Sequence, residues 1–294
     1  MKLKLDTFTG TRLHLIDVSA VARTKWWSFK DFSWDIDGKT VGTGAIYAVL
    51  SLFREIPVED QVLFCFDFGG NVRQQEDSGY KASRSSKGLD DYFKQISELR
   101  EILVSCGFEI FGQTGYEADD FIAGAVEAYK DKFDHVFIYT NDEDLGALVD
   151  NNVYLRSVLS KKSDVTRGNF EKEFGIPYNS MALYKATVGC SSDEVKGIYR
   201  FGKAKFSKFI QEVGKEYNLE LVRKENMEEE ILKNYPGFND EQRDQALQSL
   251  RLVLPRIPNG YHFEDLEYNV DIDLFKWYLG RYGMKSILEI INKE

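Results

Sequence analysis

Acidic residues follow three apolar runs of this chain, and carboxylates in that position could hold divalent cations. The runs "LHLI", "VLFCF" and "VFIYT" are each typical of a strand buried on both faces. They are followed by Asp17, by Asp67, and by the pair Asp142 and Asp144. A single Asp there would be an ordinary turn residue, but several at one edge of a sheet would repel one another without a counter-ion. The spacing therefore predicts a metal site at the carboxyl edge of a parallel sheet.

A fourth acidic group lies in "GYEADDFIAG", which begins a predicted helix. Glu117, Asp119 and Asp120 fall in its first turn, where one or two acids would simply complement the helix dipole. Three acids exceed that need, and Glu117 shares a helix face with Asp120. Oxygen ligands suit Mg²⁺ or Mn²⁺, and the shortage of His and of paired Cys disfavours zinc. Two such ions close together form the clamp used in phosphodiester hydrolysis.

A basic run follows a further candidate acid, Asp193. The formal net charge of the chain is −10, yet no acid interrupts residues 196–208. The cations of this run are Lys196, Arg200, Lys203, Lys205 and Lys208. A local excess of cations in an acidic chain is typical of nucleic-acid binding, and a loop at Gly202 could present backbone N–H groups to a phosphate. In isolation, an ordinary cationic helix face would look the same.

A second basic cluster lies in "YKASRSSK" and contains Tyr80, Lys81, Arg84 and Lys87. An aromatic ring beside cations can stack on a base while the cations neutralise a phosphate. A polar loop followed by an ordinary helix would give the same pattern, so this cluster alone is a weak signal.

Strand and helix patterns alternate in the first part of the chain, with helices expected at 41–55, 89–105 and 118–131. This alternation predicts an α/β fold with a central, mostly parallel sheet flanked by helices. After about residue 165, short helical patterns ended by Gly or Pro prevail. We therefore expect an α/β metal-binding core at 1–168 and a mostly helical part at 169–294.

The motifs in this order resemble the bacteriophage and bacterial 5′-nuclease family, which comprises flap endonucleases, 5′–3′ exonucleases and phage ribonuclease H. The matching stretches are "LIDVS", "CFDFGG", "YKASR", "GYEADD", "TNDEDL" and "VGCSSDEVKGI", in register from about residue 12 to 210. The resemblance implies a PIN-like core, a helical arch at about 77–105, and a helix–three-turn–helix motif at about 180–213 that grips duplex DNA.

The resemblance also implies roles for the candidate residues. Lys81 and Arg84 would steady the scissile phosphate, Tyr80 would stack on a terminal base, and the 189–203 hairpin would bind a monovalent cation. The first metal group would be Asp17, Asp67, Glu117, Asp119 and Asp120; the second would be Asp142, Asp144 and Asp193, with Asp142 shared between the ions.

Two departures from the family pattern affect the second half of the site. Cys190 stands where family members carry an Asp, three residues before the position of Asp193. The second metal site is then expected to be weaker, selective for Mn²⁺, or completed by water, Ser191 or Ser192. The Gly-x-Gly of the hairpin is reduced to Gly202, which weakens the case for the monovalent cation.

The expected function is that of a metal-dependent 5′–3′ exonuclease or flap endonuclease. It would cleave near the 5′ ends of flapped or duplex DNA, or of RNA–DNA hybrids, by a two-metal-ion mechanism. We expect a cytoplasmic monomer (in the host cytoplasm if phage-encoded) that works in DNA replication with replication proteins as partners. No membrane role is expected, because no run of about 18 apolar residues occurs.

Two other interpretations stay open. One is a PIN-type metal-dependent ribonuclease, although the basic segment 188–209 is unusual for that class. The other is a non-catalytic nucleic-acid-binding protein that lost part of its second metal site at Cys190. The aromatic stretch "KWWSFKDFSW" is either a wedge that stacks on a duplex end or a lid that packs on the core.

Overall fold

A computed structural model describes residues 2–159, 161–223, 225–267 and 269–293. The strands are β1 (Arg12–Asp17), β2 (Ser33–Ile36), β3 (Lys39–Gly42), β4 (Gln61–Cys65), β5 (Glu109–Phe111), β6 (His135–Tyr139), β7 (Val153–Arg156), β8 (Gly189–Cys190) and β9 (Val195–Lys196). The helices are α1 (Val18–Phe29), α2 (Gly44–Leu50), α3 (Val72–Glu76), α4 (Asp90–Ser105), α5 (Ala118–Tyr129), α6 (Phe170–Phe174), α7 (Met181–Val188), α8 (Lys203–Glu216), α9 (Glu228–Asn234), α10 (Asp240–Val253), α11 (Ile272–Arg281) and α12 (Lys285–Ile291).

The central sheet has five strands in the order β5-β4-β1-β6-β7, and all neighbours are parallel. In β1, Asp17 lies beside Cys65 of β4, and Ile16 lies beside Tyr139 of β6. The acids that follow these three strands therefore leave the sheet at one edge. The predicted parallel sheet and its flanking helices are confirmed.

Helices cover both faces of the sheet because side chains of each strand alternate between two apolar clusters. Leu13 and Leu15 pack into a cluster with α5, α7, α8 and α10. Ile16 points the other way, into a cluster with α1, α2, α4, α11 and α12. Both clusters contain residues from either side of position 168, so the predicted division of the chain there stays a prediction.

The predicted helical arch is not confirmed. Residues 77–89 form turns and irregular loops, and α4 follows them. Tyr92, Leu99 and Leu103 of α4 are buried against the sheet. The helical pattern in the second half of 77–105 therefore packs on the core with one face, while Tyr92, Phe93 and Ile96 at its start line the cleft at the acidic edge.

The aromatic stretch 25–34 divides between core and surface. Trp26 is 6% exposed and belongs to the core, whereas Trp27 is 69% exposed. Trp34 lies on the β2–β3 hairpin, which turns at Asp37 and Gly38 with positive φ angles of 51° and 78°. Its indole lies directly over Gly283, where a Cβ atom would be 2.4 Å from the ring. The hairpin thus packs on the C-terminal helices.

In the described part of the chain, no helix combines the length and the apolar character that crossing a bilayer requires.

Candidate metal centre and nucleic-acid interface

Asp17 ends β1 and lies buried at the carboxyl edge of the sheet. Its side chain accepts hydrogen bonds from the backbone N–H of Ala20 and from the hydroxyl of Thr140, each at 2.9 Å. Burial, followed by the negative charges of Asp67 and Asp142, raises the pKa of Asp17 to about 7. A neighbouring cation would restore the charged form, because it offsets both effects.

Asp67 joins the first turns of two helices. Its Oδ1 accepts the backbone N–H of Ala118, the first residue of α5, at 2.8 Å. Its Oδ2 accepts the hydroxyl of Ser19 in α1. These two bonds hold the Asp67 carboxylate beside that of Asp17, as the strand register predicts.

Asp142 and Asp144 follow β6 in a short turn. The backbone N–H of Asp144 donates to Oδ1 of Asp142 at 2.9 Å, and the N–H of Asp142 donates to the Thr140 hydroxyl at 3.0 Å. Burial, followed by the charge of Asp144, raises the pKa of Asp142 to about 6. The turn therefore presents two carboxylates that repel each other across a small gap.

Glu117 caps α5 and is surrounded by donors. The Tyr80 hydroxyl donates to Oε2 at 2.8 Å, an Arg73 N–H donates to the same oxygen at 3.1 Å, and the Lys81 ammonium contacts Oε1. Burial alone would raise the pKa of Glu117, but the charges of Lys81 and Arg73 outweigh it and hold the pKa below its ordinary value. Glu117 is thus an ionised carboxylate that orients Lys81.

Asp119 lines the cleft and has a buried carboxylate oxygen. Its Oδ1 is buried without a hydrogen-bond partner among the described residues. Burial, followed by the charges of Asp120 and Glu117, raises the pKa of Asp119 well above its ordinary value. An unpaired carboxylate oxygen on the wall of an acidic cleft fits a cation ligand.

Asp120 does not reach the cleft, which corrects its prediction as a metal ligand. Its two oxygens accept N–H groups of Arg73 at 2.6 and 3.0 Å, and both side chains are almost completely buried. The backbone N–H groups of Glu117 and Arg256 occupy the same oxygens at 3.0 and 2.7 Å. Asp120 therefore anchors α5, and no acceptor of it is left for a metal.

A second donor cluster combines Asp144, Cys190 and Asp193. One ligand atom from each lies within 4.8 Å of the others. The Lys185 ammonium contacts Oδ1 of Asp144 at 2.5 Å and Sγ of Cys190 at 3.4 Å. The Ser192 hydroxyl lies 3.0 Å from the same sulfur. The predicted Asp144 and Asp193 thus meet, together with the cysteine that departs from the family pattern.

Lys81 and Arg84 face this cluster from residues 77–89. Lys81 lies 3.8 Å from Oδ2 of Asp193, and Arg84 donates to Oδ1 of Asp193 at 2.7 Å. Lys81 has a positive φ of 50°, and its N–H donates to the carbonyl of Asp193 at 3.0 Å. Burial would lower the pKa of Lys81, but the charges of Glu117 and Asp193 outweigh it and raise the pKa. Lys81 is therefore a fixed cation.

Tyr80 is buried, which corrects the prediction that it stacks on a base. Its side chain is 2% exposed, and its ring lies beneath the cations of Arg73 and Lys81. The ring is thus closed to solvent, and its hydroxyl donates to Glu117. Lys87 is exposed in the same segment but does not line the cleft.

These residues enclose an open cleft of about 820 Å³. Its acidic wall consists of Asp17, Asp67, Glu117, Asp119, Asp142, Glu143, Asp144 and Asp193. The cations that line it are Arg23, Lys81, Arg84 and Lys185. Crowded carboxylates with raised pKa values and an unpaired oxygen fit bound divalent cations. The facing cations fit an anionic substrate.

The predicted basic run lies outside the lining of the cleft, on β9, the turn that follows it and α8. All five of its cations, together with Gly202, are solvent-exposed: Lys196, Arg200, Gly202, Lys203, Lys205 and Lys208. Gly202 is the N-cap of α8, so the backbone N–H groups of the first turn are available to a phosphate. Phe206 and Phe209, on the opposite face of α8, are buried. In the region 180–213, where a helix–three-turn–helix motif is predicted, α7, the β8–β9 hairpin and α8 follow one another, and the grip of this segment on duplex DNA stays a prediction.

Sequence reasoning missed Arg73, Arg23 and Lys185. Arg73 is isolated in "NVRQQED", far in sequence from Asp120, so no spacing pattern reveals it. Lys185 lies in the last turn of α7, five positions before Cys190. The signal that could have found it is the lone cation in the otherwise apolar helix "MALYKATV" that leads into the cluster.

Comparisons with known proteins identify the family of this chain. A family model described as 5′-3′ exonuclease, N-terminal resolvase-like domain, matches residues 12–175. The chain is 29% identical over 271 residues to DNA polymerase I of Caldicellulosiruptor bescii, covering 85% of this chain and 31% of the polymerase. It is 31% identical over 155 residues to a 5′-3′ exonuclease of Mycoplasmopsis pulmonis, covering 53% of this chain and 52% of that exonuclease. The chain thus spans about a third and about half of these relatives.

A full-length relative and two solved structures extend the comparison. A 5′-3′ exonuclease of Aquifex aeolicus is 27% identical over 293 residues, covering 96% of this chain and 95% of the relative. The structure of zinc-bound T5 5′-exonuclease matches with a TM-score of 0.64 at 18% identity, covering 96% of this chain and 97% of that one. The catalytic core of Rad2 with DNA matches with a TM-score of 0.58 at 15% identity, covering 99% of this chain and 96% of that one. At this identity the structures support the fold alone.

Proposed function

Because the chain belongs to the family of the 5′-3′ exonuclease N-terminal resolvase-like domain, we propose that it is a metal-dependent nuclease acting near 5′ ends. Its substrates would be flapped or duplex DNA and RNA–DNA hybrids. The observation that carries the proposal is the cleft itself, in which a wall of carboxylates faces Lys81, Arg84 and Lys185. That combination binds cations and a phosphodiester together.

The acidic wall would hold two divalent ions. Asp17, Asp67 and Asp119 would serve the first ion, Asp144 and Asp193 the second, and Asp142 would lie between them. When bound, such a pair supplies Lewis-acid activation of water and neutralises charge on the phosphate. Mg²⁺ and Mn²⁺ suit the oxygen ligands of the first group.

Lys81 and Arg84 position the substrate phosphate in this proposal. Their cationic groups contact Asp193 at the cleft wall, at 3.8 and 2.7 Å, and Arg84 is half exposed. A phosphate oxygen that enters the cleft can replace Asp193 as the acceptor of these N–H groups, because guanidinium and ammonium groups bind phosphates as well as carboxylates. Glu117 keeps Lys81 in place throughout.

The basic surface around α8 would hold the duplex part of the substrate. Its exposed lysines, together with the N-terminus of α8, suit phosphates, and phosphate contacts set the register on the duplex without reading its sequence. Affinity should therefore depend steeply on salt and little on sequence. The terminal nucleotides must unpair to enter the cleft, so a flap or a frayed end would be preferred.

One observation favours a second candidate, a non-catalytic nucleic-acid-binding protein. Lys185 already contacts Asp144 and Cys190, so an internal cation lies where the second ion would bind. In that case the basic surface would still bind DNA, and the cleft would cleave nothing.

Asp142→Asn tests the proposal, because this carboxylate would serve both ions. The variant should lose at least about 100-fold in single-turnover cleavage of a 5′-flapped duplex while DNA affinity changes little. Asp131→Asn, at an exposed position just after α5, is the matched control and should cleave normally. Full activity of the Asp142 variant would remove this residue from the metal site.

A further inference from the structure

The cluster of Asp144, Cys190 and Asp193 has a donor set that differs from the rest of the cleft. We infer that it selects a thiophilic divalent ion of the Zn²⁺ and Co²⁺ class over Mg²⁺, so that the two halves of the cleft prefer different ions. This inference rests on the proposed function, since it specifies the metal of one half of the same cleft. It concerns the chain's own departure at Cys190.

The hairpin fixes the position of the sulfur. Cys190 pairs with Val195 in the short β8–β9 ladder and is 3% exposed. The preceding Gly189 has a φ of 95°, and a Cβ atom there would be 2.7 Å from the backbone nitrogen of Gly197. No other residue fits this close crossing of the two strands. The backbone that carries the thiol is therefore held in one position, beside the carboxylate of Asp144.

Four donor atoms come together around this position. Sγ of Cys190 is 3.7 Å from Oδ2 of Asp144 and 3.0 Å from the Ser192 hydroxyl. Asp193 contributes a carboxylate oxygen within the same 4.8 Å limit. One sulfur with three oxygens is a set that a four-coordinate zinc-type ion accepts.

Mg²⁺ is poorly served by these donors. It requires six oxygen ligands in near-octahedral geometry and does not favour sulfur. The other half of the cleft offers carboxylate oxygens, from Asp17, Asp67 and Asp119, and no sulfur donor is found among the described residues that line the cleft. The difference in donor chemistry between the two halves therefore predicts a difference in ion preference.

Lys185 supplies the counter-charge of this cluster. Its ammonium contacts Asp144 and Cys190. An entering ion must displace this cation. A weakly bound Mg²⁺ would compete poorly with Lys185, whereas an ion that also gains a sulfur bond would compete well. Lys185→Met should therefore strengthen metal binding at this cluster.

Titration of the metal-free full chain with Co²⁺ tests the inference. Co²⁺ bound to a thiolate gives a charge-transfer absorption band that carboxylate-bound Co²⁺ lacks. We expect this band in the wild type, its removal by equimolar Zn²⁺, and its persistence in excess Mg²⁺. Cys190→Asp should lose the band and bind Mg²⁺ more tightly in calorimetry, by at least about tenfold. Cys106→Ala, at a buried thiol far from the cleft, is the matched control and should keep the band.

A second measurement does not depend on any variant being folded. Zn²⁺ should slow the alkylation of Cys190 in the wild type, and Mg²⁺ should not. Mass spectrometry of the peptide that contains Cys190 measures the extent of alkylation. Absence of the cobalt band, its persistence in Cys190→Ser, or alkylation unaffected by Zn²⁺ would overturn the inference even if Mg²⁺ supports cleavage. A band without cleavage under any metal would support the inference and remove the proposed nuclease function.

Discussion

Adjacent acids in this chain have different roles, and Asp119 and Asp120 show why. Asp119 keeps an unpaired oxygen on the cleft wall, whereas Asp120 is paired with Arg73 in the interior. The sequence motif identified both as metal ligands because it places them in one helical turn. The direction of each side chain depends on Arg73, which lies 47 residues away from Asp120 in the sequence. Local spacing carries no information on such a distant partner.

Arg73→Met tests the structural role of that pair. Removing the guanidinium leaves the Asp120 carboxylate buried without its partner, which should cost about 3–5 kcal/mol in the free energy of unfolding. Urea unfolding monitored by circular dichroism measures the loss. Lys132→Met breaks an exposed ion pair with Asp265 and should have a much smaller effect. Equal losses of unfolding free energy in the two variants would show that the buried Arg73–Asp120 pair stabilises the fold no more than the exposed pair does.

Arg200 illustrates a conflict between backbone and charge. Its φ of 55° lies in the left-handed region, at the turn where the N–H of Phe201 donates to the carbonyl of Ile198. Arg200→Gly should relieve this strain and raise the free energy of unfolding by up to about 1 kcal/mol. It should also weaken DNA binding, because an exposed cation is lost.

Arg200→Ala is the matched control, since it removes the charge and keeps the strained conformation. Both variants should lose similar DNA affinity in a fluorescence-anisotropy titration, and only the Gly variant should gain stability. A Gly variant no more stable than the Ala variant would contradict the backbone argument.

At the scale of elements, the carboxyl edge of the sheet was the most predictable feature. Continuous apolar runs revealed β1, β4 and β6, and parallel order then brought their terminal acids together. Strands β5 and β7 lie at the sheet edges and are only three and four residues long, too short to give a periodic signal. The segment 77–89 has no helical pattern, so its expected arch came from the family resemblance alone.

The helix α8 should carry much of the salt dependence of DNA binding. Lys205→Gln combined with Lys208→Gln should reduce the slope of log affinity against log salt by about two, since each lost phosphate contact removes about 0.9. The matched double variant changes Lys132, which precedes β6 at the opposite edge of the sheet, and Lys293 near the C-terminus. An unchanged slope in the α8 variant would place the DNA on another surface.

The strand β1 also carries a buried histidine that should make stability depend on pH. In the tautomer protonated at Nε2, His14 donates to Asp60 at 2.9 Å and accepts the Tyr139 hydroxyl at Nδ1 at 3.1 Å. Burial lowers the pKa of His14 despite the Asp60 charge. In the unfolded chain His14 is protonated below about pH 6.5. In the folded chain it stays neutral until the pH falls to its lowered pKa.

The free energy of unfolding should therefore fall as the pH drops below about 6.5, by up to about 1.4 kcal/mol per pH unit from this group. His14→Gln cannot take up the proton, so its unfolding free energy should fall less over the same interval. Urea unfolding of both proteins at pH 7.5 and at about pH 5.5 measures the difference. Parallel curves would mean that His14 titrates alike in both states.

At the scale of the whole molecule, the C-terminal helices complete the core of the first part of the chain. Phe275 and Leu279 of α11 and Ile287 of α12 are fully buried in the cluster that covers one face of the sheet. The sequence predicted helices beyond residue 165, but not their return to the sheet. Short helices pack on any apolar surface that is left uncovered. The surface that these helices cover is formed by residues more than 150 positions earlier in the sequence, such as Phe53.

Cleavage of a 5′-end-labelled flapped duplex tests the central claim most directly. The wild-type chain would be assayed with Mg²⁺, with Mn²⁺ and with EDTA, beside an RNA–DNA hybrid labelled in the same way. We expect short 5′ products with either metal and none with EDTA, and the better substrate would define the specificity. Tight, salt-sensitive binding without cleavage under either metal would contradict the central claim and identify a nucleic-acid-binding protein instead.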